Sequence, residues 1–170
     1  GEIIAAFLMA QLEDVKKITK QRLKVWNSYH ALLEELEKED YLRRPIIPNT
    51  SEHNGHMYYI LTKNQKERAN LINFLKKQDI LTVFHYIPLH SSPAGKKVGR
   101  YMGNMKVTNR VSDTILRLPL FYDITDAEIK KVGFRGENIK IPHSLTGKRA
   151  VELPIEDFKS LKSKEELIKF

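Results

Sequence analysis

The chain has 170 residues, 41% of them hydrophobic and 29% charged, with no cysteine and a formal net charge of +8. This fits one ordinary globular domain, or a small domain with an appendage, and excludes a disordered chain, a disulfide framework, a thiolate metal site and a thiol nucleophile. The basic residues lie dispersed in pairs such as Lys16-Lys17 and Lys76-Lys77, and no stretch interleaves aromatics with arginines. The charge therefore reads as a solvated face, and nucleic acid is not an expected partner.

The first expected element is one long amphipathic helix over residues 1–40. Leu8, Leu12, Val15, Ile18, Val25, Tyr29, Leu32 and Leu36 recur at helical spacing, and no proline or glycine interrupts the run after Gly1. Its opening, Ile3 to Ala10, is apolar nearly all round, which suits a helix start buried between domains or subunits. It is far too short to cross a bilayer and has no positively charged lead, so neither a membrane span nor a signal peptide is expected. A cytoplasmic protein is compatible with this.

Pro45 and Pro48 end the helix. Met57–Leu61 then reads as a buried strand. Asn64 offers a cap, with Glu67 three residues on, for a helix that carries Leu71, Ile72 and Leu75 on one face. Ile80 to Tyr86 is a second expected strand. Pro88 to Val107, with Gly95, Gly99 and Gly103, reads as a long irregular loop, and loops of that length tend to be functional. Val111, Ile115 and Leu118 mark a further helix stopped before Pro119. Thr125 and Glu128 form a capping box for a short last helix. After Val132 the character changes to a mixed polar segment with one strand expected from Ala150 to Leu153. A long helix leading into a small α/β layer is the architecture implied.

Few residues invite chemistry. His53 and His56 are three apart, and His85 and His90 five apart, but neither pair lies on a helix with a glutamate, so no metal site is expected. Ser91 and Ser92 lack a nucleophile elbow, and the glycine spacing matches no phosphate-binding fingerprint. Phe84 to His90 is the most informative stretch. A strand ending in His85-Tyr86 before Pro88 presents two polar rings at its C-terminal edge, where α/β folds commonly bind ligands. A histidine satisfied by a backbone carbonyl beside a core tyrosine is the competing reading. His56, after Asn54-Gly55, is either a ligand or a turn cap. Lys96, Lys97 and Arg100 are candidates for phosphate contacts or simply exposed loop cations.

Four blocks come in a fixed order: Glu2 to Ala6 with Gln11-Leu12-Glu13, Asn54 to Ile60, Phe84 to His90 with Pro93-Ala94-Gly95, and Arg117 to Tyr122. In that order the chain resembles the DegT/DnrJ/EryC1/StrS aminotransferases from Gly1 to about Val132. The resemblance implies an α/β fold (an α+β small domain), the C-terminal domain of an aspartate-aminotransferase-type (fold type I) enzyme. Residues 1–40 would be the connecting helix, 41–132 the small domain, and 133–170 a tail outside the family, frameshifted or fused. It further implies pyridoxal 5'-phosphate as cofactor, glutamate as amino donor, a dTDP-linked 4-keto-6-deoxyhexose as acceptor, and a homodimer with its active site at the subunit interface. His85 and Tyr86 would lie near the sugar nucleotide, with His56 supporting the same wall. The family's cofactor-bearing lysine follows a Ser-Phe-His stretch that is absent here. No residue is therefore assigned a catalytic role, and the chain alone is expected to be inactive. The alternative is a non-catalytic module that binds a sugar nucleotide or a protein.

Overall fold

The computed structural model describes residues 1–133, 139–140 and 152–153. The expected single helix is a rod in three pieces: α1 (Glu2–Glu13), α2 (Val15–Leu32) and α3 (Glu34–Lys38). The junction residues Asp14 and Leu33 depart from helical geometry, yet hydrogen bonds from Ile18 N–H to Asp14 O and from Glu37 N–H to Leu33 O carry the rod across them. Asp40, at φ 61°, turns the chain at its end, and Tyr41 N–H closes back on Leu36 O.

The next elements are β1 (Tyr58–Leu61), α4 (Gln65–Lys77), α5 (Pro93–Val98), α6 (Lys106–Thr114), β2 (Ile115–Leu118) and α7 (Asp126–Val132). A last antiparallel pair joins β3 (Ile139–Lys140) to β4 (Glu152–Leu153). Of the strand expected at 150–153, Glu152–Leu153 is therefore present, and the rest of the 133–170 tail beyond Gly133 and these two strands lies outside the described residues.

β1 and β2 pair antiparallel, Tyr58 opposite Leu118 and Leu61 opposite Ile115. Single bridges add Arg43 beside Leu61 and Val83 beside Arg117, also antiparallel. The sheet is thus two true strands with a one-residue attachment at each edge. Burial alternates along β1: Tyr58 and Ile60 face the core, while Tyr59 and Leu61 are partly exposed.

Three expectations need correction. Ile80–Tyr86 is extended but not a strand, because only Val83 exchanges backbone hydrogen bonds with a neighbour, Arg117. The Pro88–Val107 loop contains α5 and the start of α6. The helix expected across Val111 to Leu118 ends at Thr114, and its second half is β2. A spacing of three and four over so short a run does not separate a helix face from a strand buried on both sides. Here Ile115, Leu116 and Leu118 are all buried, which a strand between covered faces achieves. Thr114 marks the change: its Oγ1 donates to Arg110 O, and its carbonyl accepts from Thr62 N–H and Oγ1.

The core lies between α2, α3 and the sheet, with Tyr29, Leu33, Tyr58, Ile60 and Leu116 fully enclosed. Tyr29 satisfies its hydroxyl on Pro119 O at 2.9 Å, locking α2 to the turn after β2. Both capping expectations hold. Asn64 Oδ1 accepts from Glu67 N–H at 2.9 Å, and Thr125 with Glu128 forms a full capping box. Asn64→Ala is expected to cost about 1 kcal/mol, read as a lower urea midpoint at unchanged slope.

α1 is the exception to this packing. Ile3 is 84% exposed and Phe7 71%, and no residue of the helix is buried. Among the described residues no helix is long and apolar enough to cross a membrane.

Candidate functional site

The segment carrying His56 is fastened to α2. Gly55 takes φ +61°, and a Cβ there would lie 3.0 Å from the Arg22 backbone, so the turn needs glycine both for its dihedral and for its close approach. Arg22 Nε donates to Gly55 O at 3.2 Å, and Arg22 Nη2 donates to His56 O at 2.6 Å. Asn54 Oδ1 accepts from His56 N–H at 3.0 Å, and His53 Nδ1 accepts from Gly55 N–H at 3.3 Å. The turn is therefore capped by Asn54 and His53. The His56 ring is not the cap, and the residue is exposed.

Trp26 underlies this turn. It stacks on His30 with centroids 4.7 Å apart, meets His53 at 4.4 Å, and takes the edge of Tyr58 at 5.2 Å. The Tyr58 hydroxyl lies 3.3 Å from His30 Nδ1, and burial raises the Tyr58 pKa well above the usual phenol value. Burial, followed by the nearby Arg44 charge, lowers the His30 pKa.

The second part of the site hangs on β2 and α6. The Val83–Arg117 bridge fixes the segment on one side. Arg68 of α4 lies 5.6 Å over the Phe84 ring and donates to Ser112 O, and Ser112 Oγ approaches Tyr86 O at 3.5 Å. The His85 and Tyr86 rings meet edge to face at 4.8 Å. Tyr86 is 79% exposed, so it is not the core tyrosine of the competing reading. His85 Nδ1 is buried and neither donates to nor accepts from a backbone or side-chain group among the described residues.

Farther along, His90 Nε2 sits 2.8 Å from Asn109 Oδ1 and its ring packs on Tyr101, tying the start of α5 to α6. Ser92 Oγ caps α5, and Gly95 tolerates no side chain because a Cβ would fall 1.7 Å from Leu89 O. Lys96, Lys97 and Arg100 stand exposed on α5 and the turn after it. The structure thus joins His85 to Tyr86 by direct contact, and holds His56 by a separate attachment to α2. A hollow of about 600 Å³ runs along α2 between Lys16, Lys20, Lys24 and Leu23, and none of the candidate site residues named from the sequence lines it.

Sequence reading passed over Arg22, Trp26 and His30. Their signal was available, since residues 22, 26 and 30 repeat every four positions, and that stripe carries the only tryptophan. Every lysine through Lys131 is exposed, and none stands in the enclosed apolar setting that makes a lysine a nucleophile.

Comparison with known proteins gives these results. The family profile that matches, over residues 1–135, is the DegT/DnrJ/EryC1/StrS aminotransferase family. An uncharacterized protein of Methanocaldococcus jannaschii is 30% identical over 132 residues, which is 75% of this chain and 33% of that protein. The chain spans about a third of the length of the curated relatives it matches. Among solved structures, Streptomyces DesV (S. venezuelae), in complex with a ketimine intermediate, superposes with a TM-score of 0.65 at 21% identity, over 76% of this chain and 33% of that one. The ntda protein of Bacillus subtilis with bound cofactor pmp gives a TM-score of 0.59 at 22% identity, over 68% and 27%. At these identities the likeness to solved structures is one of fold, and the mixed helix and small-sheet arrangement is that of the fold type I aminotransferases.

Proposed function

Because the chain belongs to the DegT/DnrJ/EryC1/StrS aminotransferase family, we propose that it supplies the sugar-facing wall of a cytoplasmic, homodimeric, pyridoxal-phosphate-dependent transaminase. The amino group would pass from glutamate to the 4-keto carbon of a dTDP-4-keto-6-deoxyhexose. The His-Met-Tyr-Tyr-Ile block at 56–60 and the Phe84–His90 block resemble the subgroup that makes dTDP-4-amino-4,6-dideoxygalactose, an enterobacterial common antigen sugar, which narrows the proposed product to that amino sugar.

The observation that carries this reading is the His85–Tyr86 ring pair, held between β2 and α6 with Tyr86 open to solvent. An imidazole and a phenol so fixed can donate to sugar hydroxyls or phosphate oxygens and stack on a ring. The cofactor supplies the electron sink for amino transfer. With every lysine to Lys131 exposed, its binding falls to a part of the enzyme beyond these residues, and α1 offers the apolar surface for docking to that part. Lys96, Lys97 and Arg100 remain candidates for the diphosphate.

Isothermal titration of the isolated chain with a dTDP-sugar tests the wall. Saturable binding that weakens about tenfold in His85→Ala, the equivalent of a charge-assisted or sugar hydrogen bond near 1.4 kcal/mol, is the expected result. Flat titrations for the wild type would count against it. If the chain binds dTDP-sugar yet adds no transaminase activity to the remaining two thirds of a family enzyme, the non-catalytic binding module becomes the better reading.

A further inference from the structure

The turn that presents His56 is held by three devices of different chemistry, two of them reaching α2 and one within the turn itself. Arg22 donates to two successive carbonyls, those of Gly55 and His56. Trp26 packs flat on His30 and against His53. His53 Nδ1 accepts the Gly55 N–H, a bond that exists only while that nitrogen carries no proton. The guanidinium is charged at any working pH, so the first device is permanent. The third is not, because a protonated imidazole turns a donor toward a donor.

We infer that Arg22, Trp26 and His53 are positioning residues for His56, and that a proton on His53 Nδ1, by removing the acceptor for Gly55 N–H, loosens this hold. The role of His56 as part of a sugar-nucleotide wall rests on the function proposed above; the latch on the turn does not.

The surroundings of each ring bear on the sign. His53 packs on Trp26, which also carries His30, and Arg22 binds the carbonyl of Gly55 two residues on. His30 faces Arg44 from the segment after α3, Glu37 and Glu34 from α3, and the Tyr58 hydroxyl from β1. Arg44 is itself clamped, donating to His30 O and to both carboxylate oxygens of Glu37. Burial and Arg44 lower the His30 pKa, and the two glutamates only partly oppose this. A histidine whose folded pKa is depressed contributes stability that is present above its ordinary value and is lost as pH falls. Acid thus weakens the packing on Trp26 from the His30 side.

Trp26 is the only tryptophan in the chain and touches both rings, so it reports on them directly. An imidazolium against an indole quenches its emission. The experiment titrates the 170-residue chain between about pH 8 and about pH 5, the span over which imidazole side chains commonly change charge. It follows Trp26 emission, the His53 ring nitrogen shifts and Gly55 amide exchange corrected for its intrinsic pH dependence. The expected result is a Gly55 protection factor that falls roughly fivefold, the equivalent of one net hydrogen bond near 1 kcal/mol, with the same midpoint as the His53 Nδ1 shift. His53→Phe keeps a ring on Trp26 without the acceptor, and is expected to make Gly55 protection low and independent of pH. Arg22→Lys cannot reach both carbonyls and should loosen His56 equally at every pH. Corrected Gly55 protection that ignores the His53 titration in the wild type would overturn the inference, whether or not the variants fold. All of these readouts are taken without ligand. A chain that binds no sugar nucleotide leaves them intact, and a chain that binds one while Gly55 stays indifferent to pH sinks the latch alone.

Discussion

Replacing Leu116 by alanine is expected to destabilise the chain by about 3 kcal/mol, within the usual 2–5 kcal/mol for a buried leucine. Leu116 is wholly enclosed in β2 and pairs with Ile60, which is equally enclosed. Leu116 belongs to one buried cluster that also takes in residues of α2, α3, α4 and β1. The cavity would open at the place where the sheet meets the helices, and a two-stranded sheet has little else to hold it. Net stabilities of domains are only about 5–15 kcal/mol, so the urea midpoint should fall by a large fraction of its value. Leu81→Ala is the control. That side chain is 76% exposed, and its truncation should stay within roughly 0.5 kcal/mol of the wild type. Equal shifts for the two variants would mean that the core is not where the structure puts it.

Charging the face of α1 should have the opposite signature. Ile4→Asp with Phe7→Asp is expected to leave the isolated chain as stable as before, since both side chains are already more than two thirds exposed. The same double variant should abolish productive assembly with the large domain of a family enzyme. Burial of an aliphatic or aromatic side chain contributes roughly 1.5–3 kcal/mol each, and an unpaired carboxylate at a dry contact adds a desolvation penalty of several kcal/mol. Mixing the chain with the remaining two thirds of the enzyme, then measuring transaminase activity and the elution volume of the complex, reads both effects. Unimpaired assembly by the double variant would remove α1 from the interface. A fall in the isolated chain's own stability would show that α1 packs on this domain after all.

Local chemistry made some elements legible in advance. Asn64 with Glu67, and Thr125 with Glu128, are side chains that satisfy helix-start N–H groups a few residues away, so residue type and spacing were enough. The ordered blocks around Asn54 and Phe84 likewise identified the family, and they mark turns whose glycine and proline requirements are local: Gly55 at positive φ, Gly95 pressed on Leu89 O. For the candidate site, His85, Tyr86 and His56 were visible as residue types, while their attachments were not. Arg22 and Gly55 are 33 positions apart in the chain, and no pattern within a window links them.

Sequence by itself therefore determined the capped helix starts at Asn64 and Thr125, the apolar opening of α1, the family, and the absence of a cofactor-lysine motif within these residues. Only the tertiary structure decided whether Ile115–Leu118 is helix or strand, that Ile80–Tyr86 makes one bridge instead of a ladder, and that His53 serves the turn through Nδ1. In each case the deciding free energy comes from a partner distant in the chain: Tyr58–Leu61 for β2, Arg117 for Val83, and α2 for the His53 turn. Short apolar runs and lone histidines have nearly balanced local preferences, so burial against such a partner tips them. The exposed start of α1 shows the converse, a helix formed by its own residues with its apolar face left uncovered by this domain.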